Sequence, residues 1–266
     1  MSMTDKKVVV IGHTALNDRV MEWLTPLELE VTCVSIDQLQ LRITDQEVMN
    51  VEHILDHKTA TKITQSDFIF DTLTGPTETK RQMIKWLMLH KQEQAPLLTS
   101  ILHHTATEIS SWAEHAPEII GFHPLHFERL KMIELAPSLQ HDPAILGGVQ
   151  CQLTEWGKKV QLIQDQVGGV FPRSIALLIN EASYALQEKV TTAESIDLAM
   201  KKGTHYPLGP LEWGDQIGLD HIHWILEGLF RELGDERYRS SASLKKKVYA
   251  QQIGIVAGRG FYEYGA

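Results

Sequence analysis

The sequence predicts an α/β domain followed by an all-helical domain. Three observations carry this. Short β-branched runs alternate with helix-period segments over the first 164 residues, as in a sheet covered by helices on both faces. From about residue 165 onward the strand-like runs stop and apolar residues recur at helical spacing. Gly and Pro gather near the C-terminus in YPLGPLEWGDQIGLD and GRGFYEY, where a helical chain must turn sharply. With 266 residues the chain holds two cores, placed at 1–164 and 165–266.

The elements follow in order. Lys7 to Gly12 contains the unbroken apolar run Val8, Val9, Val10 and Ile11, the pattern of a parallel strand buried on both faces. A helix is expected from Asp18 to Leu27, then a strand from Glu30 to Ile36 and a helical or loose region reaching about Lys58. Asp67 to Thr72 reads as a third strand and Thr77 to Lys91 as a helix. Pro96 to Leu102, Ile119 to Phe122 and Met132 to Ala136 read as further strands. The second domain is read as helices at Arg173–Leu186, Thr192–Lys201, Pro210–Leu233 and Ala242–Gln252. Thr192 with Glu194 signals a helix start, and Gly203 a stop.

Lys plus Arg total 25 and Asp plus Glu total 34, a net charge of −9 with His neutral. That balance argues against a nucleic-acid partner, whose binding rests on phosphate neutralisation. Lys245, Lys246 and Lys247 read as a solvated helix face. Cys33 and Cys151 sit in unrelated contexts, so no disulfide framework is expected and a cytoplasmic protein is. No apolar run of membrane-spanning length and no signal peptide is visible. The thirteen histidines are scattered, and His221-x-His223 lacks the i,i+4 spacing of helical ligands, so no metal site is expected.

The first strand runs into GHTALNDRV. A dinucleotide-binding turn asks for G-x-G-x-x-G between strand and helix. Here Gly12 is present, and Thr14 and Asn17 hold the second and third positions. A Thr14 side chain projects where a cofactor approaches. Asn17 and Asp18 can cap the helix and compete for the N–H groups a phosphate uses. Asp37 is the candidate for the adenosine ribose, although Ser35 stands nearer the expected strand end. Two readings stand: a working NAD site built on Gly12, Thr14 and Asp37, or a scaffold that has lost it.

Taken as an ordered set, YPLGPLEWGDQIGLD and GRGFYEY resemble the NAD-dependent 3-hydroxyacyl-CoA dehydrogenase family, over about residues 165–264 and more weakly over 1–164. The resemblance implies a Rossmann-like NAD-binding domain, a helical domain that forms a homodimer, and hydride transfer between NAD and C3 of a 3-hydroxyacyl-CoA. In GFHPLHFERLKMIE the family's catalytic histidine falls on His123 and its glutamate on Glu134, one residue closer than usual. His126 is the alternative. In SILHHTATEIS the catalytic hydroxyl falls on Thr105, with His103 and His104 beside it. In DQVGGVFPRSIALLINEA the active-site asparagine falls on Pro172, which has no side-chain donor or acceptor, and Arg173 matches its neighbour. Asn180 lies eight residues on, about 12 Å along a helix, too far to replace it.

A neutral imidazole can accept an alcohol proton while a carboxylate steadies it. Three functions fit the residues: a 3-hydroxyacyl-CoA dehydrogenase, a non-catalytic acyl-CoA-binding or scaffold descendant, and an oxidoreductase for another small hydroxy acid.

Overall fold

A computed structural model describes residues 6–36, 55–113 and 116–265. Asp37, the ribose candidate, lies outside the described residues. The chain divides into two compact units, Met1–Gly169 and Val170–Ala266.

Unit 1 is built on one seven-stranded sheet. Its strands are β1 (Lys7–Gly12), β2 (Glu30–Ser35), β3 (Phe68–Asp71), β4 (Leu97–Ser100), β5 (Ile119–Phe122), β6 (Met132–Pro137) and β7 (Lys159–Leu162). They lie in the order β2-β1-β3-β4-β5-β6-β7. The first five are parallel, while β6 runs antiparallel to β5 and parallel to β7. The unbroken apolar run in β1 has a simple cause: alternate residues enter two cores. Val9 and Ile11 pack with Ile69, Leu97, Ile63, Ile84 and Ile109 on one face. Val8 and Val10 pack with Phe70, Leu98, Val20, Leu24 and Leu153 on the other.

The helices of unit 1 are α1 (Thr14–Leu24), α2 (His57–Thr64), α3 (Thr77–His90), α4 (Ala106–Ser110) and α5 (Pro143–Glu155). Helix α1 begins at Thr14, not at Asp18 as expected, and ends in a 3-10 turn over Thr25–Leu27. Asn17 does not cap it. The side chain is buried and turned toward the sheet, where Nδ2 donates to the carbonyls of Gly12 (3.3 Å) and Val34 (3.0 Å). Its Oδ1 accepts from Thr72 Oγ1 at 2.6 Å. Where a glycine would let helix and strand touch, an amide ties α1 to three strand ends.

Unit 2 consists of α6 (Phe171–Gln187), α7 (Ala193–Thr204), α8 (Pro210–Ile217), α9 (Leu219–Leu233) and α10 (Ala242–Tyr249). The expected single helix from Pro210 to Leu233 is two helices, because Gly218 sits at φ 105° between them. Thr192 caps α7 by accepting from Ser195 N. The stop is not Gly203; the helix runs to Thr204 and His205 takes the left-handed conformation.

Two buried carboxylates explain the C-terminal Gly/Pro signature. Asp197 accepts from the amides of Leu211 (2.8 Å) and Glu212 (2.9 Å) at the head of α8, and from Tyr262 Oη at 2.7 Å. Asp215 accepts from the amides of Phe261 and Tyr262 and from Tyr264 Oη. A Cβ on Gly209 would overlap the Asp197 side chain, and one on Gly260 would overlap the Asp215 carboxylate. Lys247 is not purely solvated: it donates to Gly260 O at 2.7 Å.

Candidate active site

The carboxyl ends of β1, β3, β4 and β5 form one edge of the sheet, and the expected site residues of unit 1 gather there. Strand order reverses direction about β1, so the crevice between β1 and β3 is the topological switch point, where α/β sheets bind ligands.

His123 directly follows β5. Its relation to Glu134 is a matter of register. In the antiparallel β5–β6 pair, Ile120 faces Pro137 and Gly121 faces Ala136. Continuing that register sets His123 opposite Glu134, despite the shortened loop between them. The two side chains approach to 3.8 Å, His123 Nε2 to Glu134 Oε2. That is an electrostatic neighbour and not a hydrogen bond. His123 is only 3% exposed. Burial pushes its pKa down from 6.5 to about 3; a backbone contact at Leu125 opposes this, and the nearby His126 and Lys158 reinforce it. The imidazole is therefore neutral at physiological pH, as a proton acceptor must be.

Glu134 is held from behind. Gly169, at φ 69°, lies so close that a Cβ there would stand 2.5 Å from Glu134 Oε2. The same segment begins at Asp165, whose carboxylate accepts from the amides of Ala106 (2.8 Å) and Thr107 (2.7 Å). Gly168 N donates to Ile101 O at 2.7 Å. Thus DQVGG stitches the loop after β4 to the glutamate.

Thr105 is the N-cap of α4 and accepts from Glu108 N at 3.1 Å. The histidines before it are not loosely placed turn residues. His103 and His104 are buried; His103 Nδ1 donates to Gly75 O at 2.8 Å, and His104 Nδ1 meets Glu108 Oε1 at 3.0 Å. His126 is no substitute for His123. It sits at φ 50° with Nδ1 3.3 Å from Arg19 Nη1, and the same guanidinium donates to Glu128 Oε1. Burial, then the Arg19 charge, lowers its pKa. Lys158 donates to the carbonyls of Phe127 and Leu130, which ties the turn after His123 to the residue before β7.

In unit 2, Pro172 is buried in the first turn of α6. Arg173 donates to Tyr238 Oη. Asn180 is occupied by backbone: Nδ2 donates to Arg239 O and Oδ1 accepts from Ser241 N, both at 2.9 Å.

At the head of β1, Gly12 has φ 144°, and a Cβ there would overlap Thr72 Oγ1 and come 2.6 Å from Leu73 N. This glycine serves the close approach of β1 and β3. Helix α1 has no side-chain cap at its N-terminus. Its first-turn amides, with the helix dipole, suit an anionic pyrophosphate, and the backbone of Gly12, His13 and Thr14 would hold it.

Sequence reasoning missed a buried ion pair beneath this crevice. Lys80 Nζ donates to Asp71 Oδ2 (2.5 Å) and to Leu73 O (2.7 Å). Asp71 also accepts from Thr99 Oγ1 (2.6 Å) and Leu73 N (3.0 Å). Burial lowers the pKa of Lys80, opposed by Asp71. The only hint in the sequence is the mixed composition of an otherwise apolar strand. Among the described residues, no group of three or more His, Cys, Asp and Glu is arranged to hold a metal. No described helix is long and apolar enough to cross a membrane.

A doubly wound sheet with its crevice at a switch point, followed by a separate helical unit, defines the class: a dinucleotide-type oxidoreductase fold. Residues 168–264 match the family model for the 3-hydroxyacyl-CoA dehydrogenase C-terminal domain. A 3-hydroxybutyryl-CoA dehydrogenase of Bradyrhizobium diazoefficiens is 31% identical over 199 residues, covering 74% of this chain and 68% of that one. A probable 3-hydroxybutyryl-CoA dehydrogenase of Bacillus subtilis is 31% identical over 223 residues, covering 83% and 78%. The (S)-3-hydroxybutyryl-CoA dehydrogenase PaaH1 of Ralstonia eutropha shares the fold with a TM-score of 0.75 at 22% identity, covering 98% of this chain and 100% of that one. The chain belongs to the 3-hydroxyacyl-CoA dehydrogenase family, a family of NAD-dependent oxidoreductases.

Proposed function

We propose that this protein interconverts a 3-hydroxyacyl-CoA and the corresponding 3-ketoacyl-CoA, with His123 as the proton-transferring residue. The carrying observation is the cross-strand placement of a buried neutral imidazole opposite a carboxylate at the carboxyl edge of the sheet, in a chain of this family. NAD, when bound, accepts or supplies the hydride. His123 handles the proton. The imidazolium formed on oxidation is offset by the Glu134 charge 3.8 Å away. Thr105 supplies a hydroxyl for the substrate oxygen. Pro172 gives the acyl carbonyl no side-chain donor, so this chain polarises it less than an asparagine at that place would. The N-terminal domain, 1–164, holds NAD; the helical domain, 165–266, has the substrate and dimerisation role. A cytoplasmic location is in keeping with a chain of only two cysteines, Cys33 and Cys151, in unrelated sequence contexts.

The test follows NADH absorbance with acetoacetyl-CoA and longer 3-ketoacyl-CoA substrates. The wild type is expected to turn over, and H123A to lose about 10²- to 10⁴-fold in kcat/KM. Undiminished turnover in H123A would remove His123 from the chemistry. Pro172 favours a second reading, a non-catalytic acyl-CoA-binding protein; CoA-thioester binding with no NADH oxidation at any chain length would establish it over the first.

A further inference from the structure

His13 stands at the tip of the turn between β1 and α1. Its Nε2 lies 2.6 Å from the carbonyl oxygen of Thr74, on the loop that follows β3. A carbonyl only accepts, so Nε2 carries the proton in this contact. The bond joins residues 61 apart in sequence and crosses from the β1 loop to the β3 loop, at the switch point where a dinucleotide lies in such sheets. It is one of several ties. Gly12 already touches the backbone of Thr72 and Leu73. Asn17 holds Thr72. On the far side, Thr74 Oγ1 pairs with Ser100 Oγ at 3.0 Å, and His103 holds the carbonyl of Gly75. The loop from Thr72 to Gly75 is thus anchored to the loops on both sides. The His13 tie is alone among these in combining a partly exposed, rotatable side chain with a place at the tip of the phosphate turn. The deeper ties, through Asn17 and Thr72, are buried.

We infer that His13 is a latch across the cofactor crevice: its imidazole ties the β1 loop to Thr74 and must swing away for the pyrophosphate of NAD to seat on the first turn of α1. This rests on the dinucleotide reading above. Closure then competes with cofactor binding, and the apparent affinity is reduced by the fraction of molecules that are latched. Removing the imidazole frees the crevice and loosens the unliganded protein at the same time, two effects of opposite sign from one substitution.

The experiment titrates NADH into the wild type and H13A by fluorescence and calorimetry, alongside thermal unfolding without ligand. H13A is expected to bind NADH about five-fold more tightly, the worth of one ordinary hydrogen bond, while its ligand-free unfolding midpoint falls. A second readout needs no variant. In ¹⁵N-imidazole NMR of the wild type, the hydrogen-bonded His13 Nε2–H resonance is expected to vanish as NADH saturates the protein. H13A binding NADH no better than wild type, or a His13 resonance that persists at saturation, overturns the latch while leaving the cofactor site intact. If neither protein binds NADH at millimolar concentration, the dinucleotide reading itself fails and the latch with it.

Discussion

Lys80→Met removes the cation from the buried pair beneath the crevice and leaves the Asp71 carboxylate among apolar neighbours. Both side chains are almost wholly inaccessible, at 2% and 0%. Asp71 keeps two donors, Thr99 Oγ1 and Leu73 N, which offset part of the burial cost. The carbonyl of Leu73 loses its lysine donor, a further loss of about 1–3 kcal/mol if no water replaces it. Breaking a buried pair from one side costs roughly 3–5 kcal/mol in total. With an m-value near 3 kcal/mol/M, that moves the urea midpoint of unit 1 down by about 1–2 M. The companion double variant K80M/D71N removes both charges, and is expected to recover most of the loss because no ion is then stranded. Urea unfolding followed by fluorescence and circular dichroism reads four proteins: wild type, K80M, D71N and the double variant. A K80M midpoint within about 0.3 M of wild type, or a double variant as unstable as the sum of the singles, would refute the argument that the lysine neutralises a buried charge.

Two further outcomes are expected. Burial holds His123 at about 3 and His223 at about 4, both below the unfolded value of 6.5. Their contribution to stability is complete above pH 6.5 and is lost as the pH falls, because the unfolded chain binds the protons first. Each costs its own unit about 1.4 kcal/mol per pH unit between about 6.5 and 4, read from urea midpoints at pH 6.5, 5.5 and 4.5; H123N and H223N should flatten the slope of their own units, and unchanged slopes would contradict the assignment. In unit 2, Gly260→Ala forces a methyl group into the Asp215 carboxylate and should destabilise by about 1–3 kcal/mol. Gly203→Ala, with nothing near the added carbon, should be neutral or stabilising by up to about 1 kcal/mol. Thermal unfolding compares them, and equal effects would deny the glycine its steric role.

The parts of the fold legible in the sequence are those with a local signal. Strand β1 could be read because a residue run buried on two faces has no polar interruptions. The helix α5 could not, since Gly147 and Gly148 interrupt it and its apolar face is weak. Strand β7 is four residues long and mostly exposed, so nothing in its pattern marks it. The break at Gly218 hides inside continuous helical periodicity. At the site, His123 and Glu134 were found through a family motif, but their juxtaposition depends on hairpin register, which the motif does not state. The contact of His13 with Thr74 carries no local signal, and that of Lys80 with Asp71 only an acid at the end of an apolar strand. Each joins two elements through a turn, and only the folded chain reveals what the polar atom meets.

The glycine slots of unit 2 bear on how this protein can change over generations. At Gly209 and Gly260 the neighbouring aspartate occupies the volume any larger residue would need, so a substitution at either site must displace that carboxylate. The phosphate turn of unit 1 is different in kind: there an amide has taken a glycine's place and the helix remains seated. The two units thus secure their turns by opposite means: unit 2 by glycines whose missing side chains leave room for an acid, unit 1 by a side-chain amide in a glycine's position.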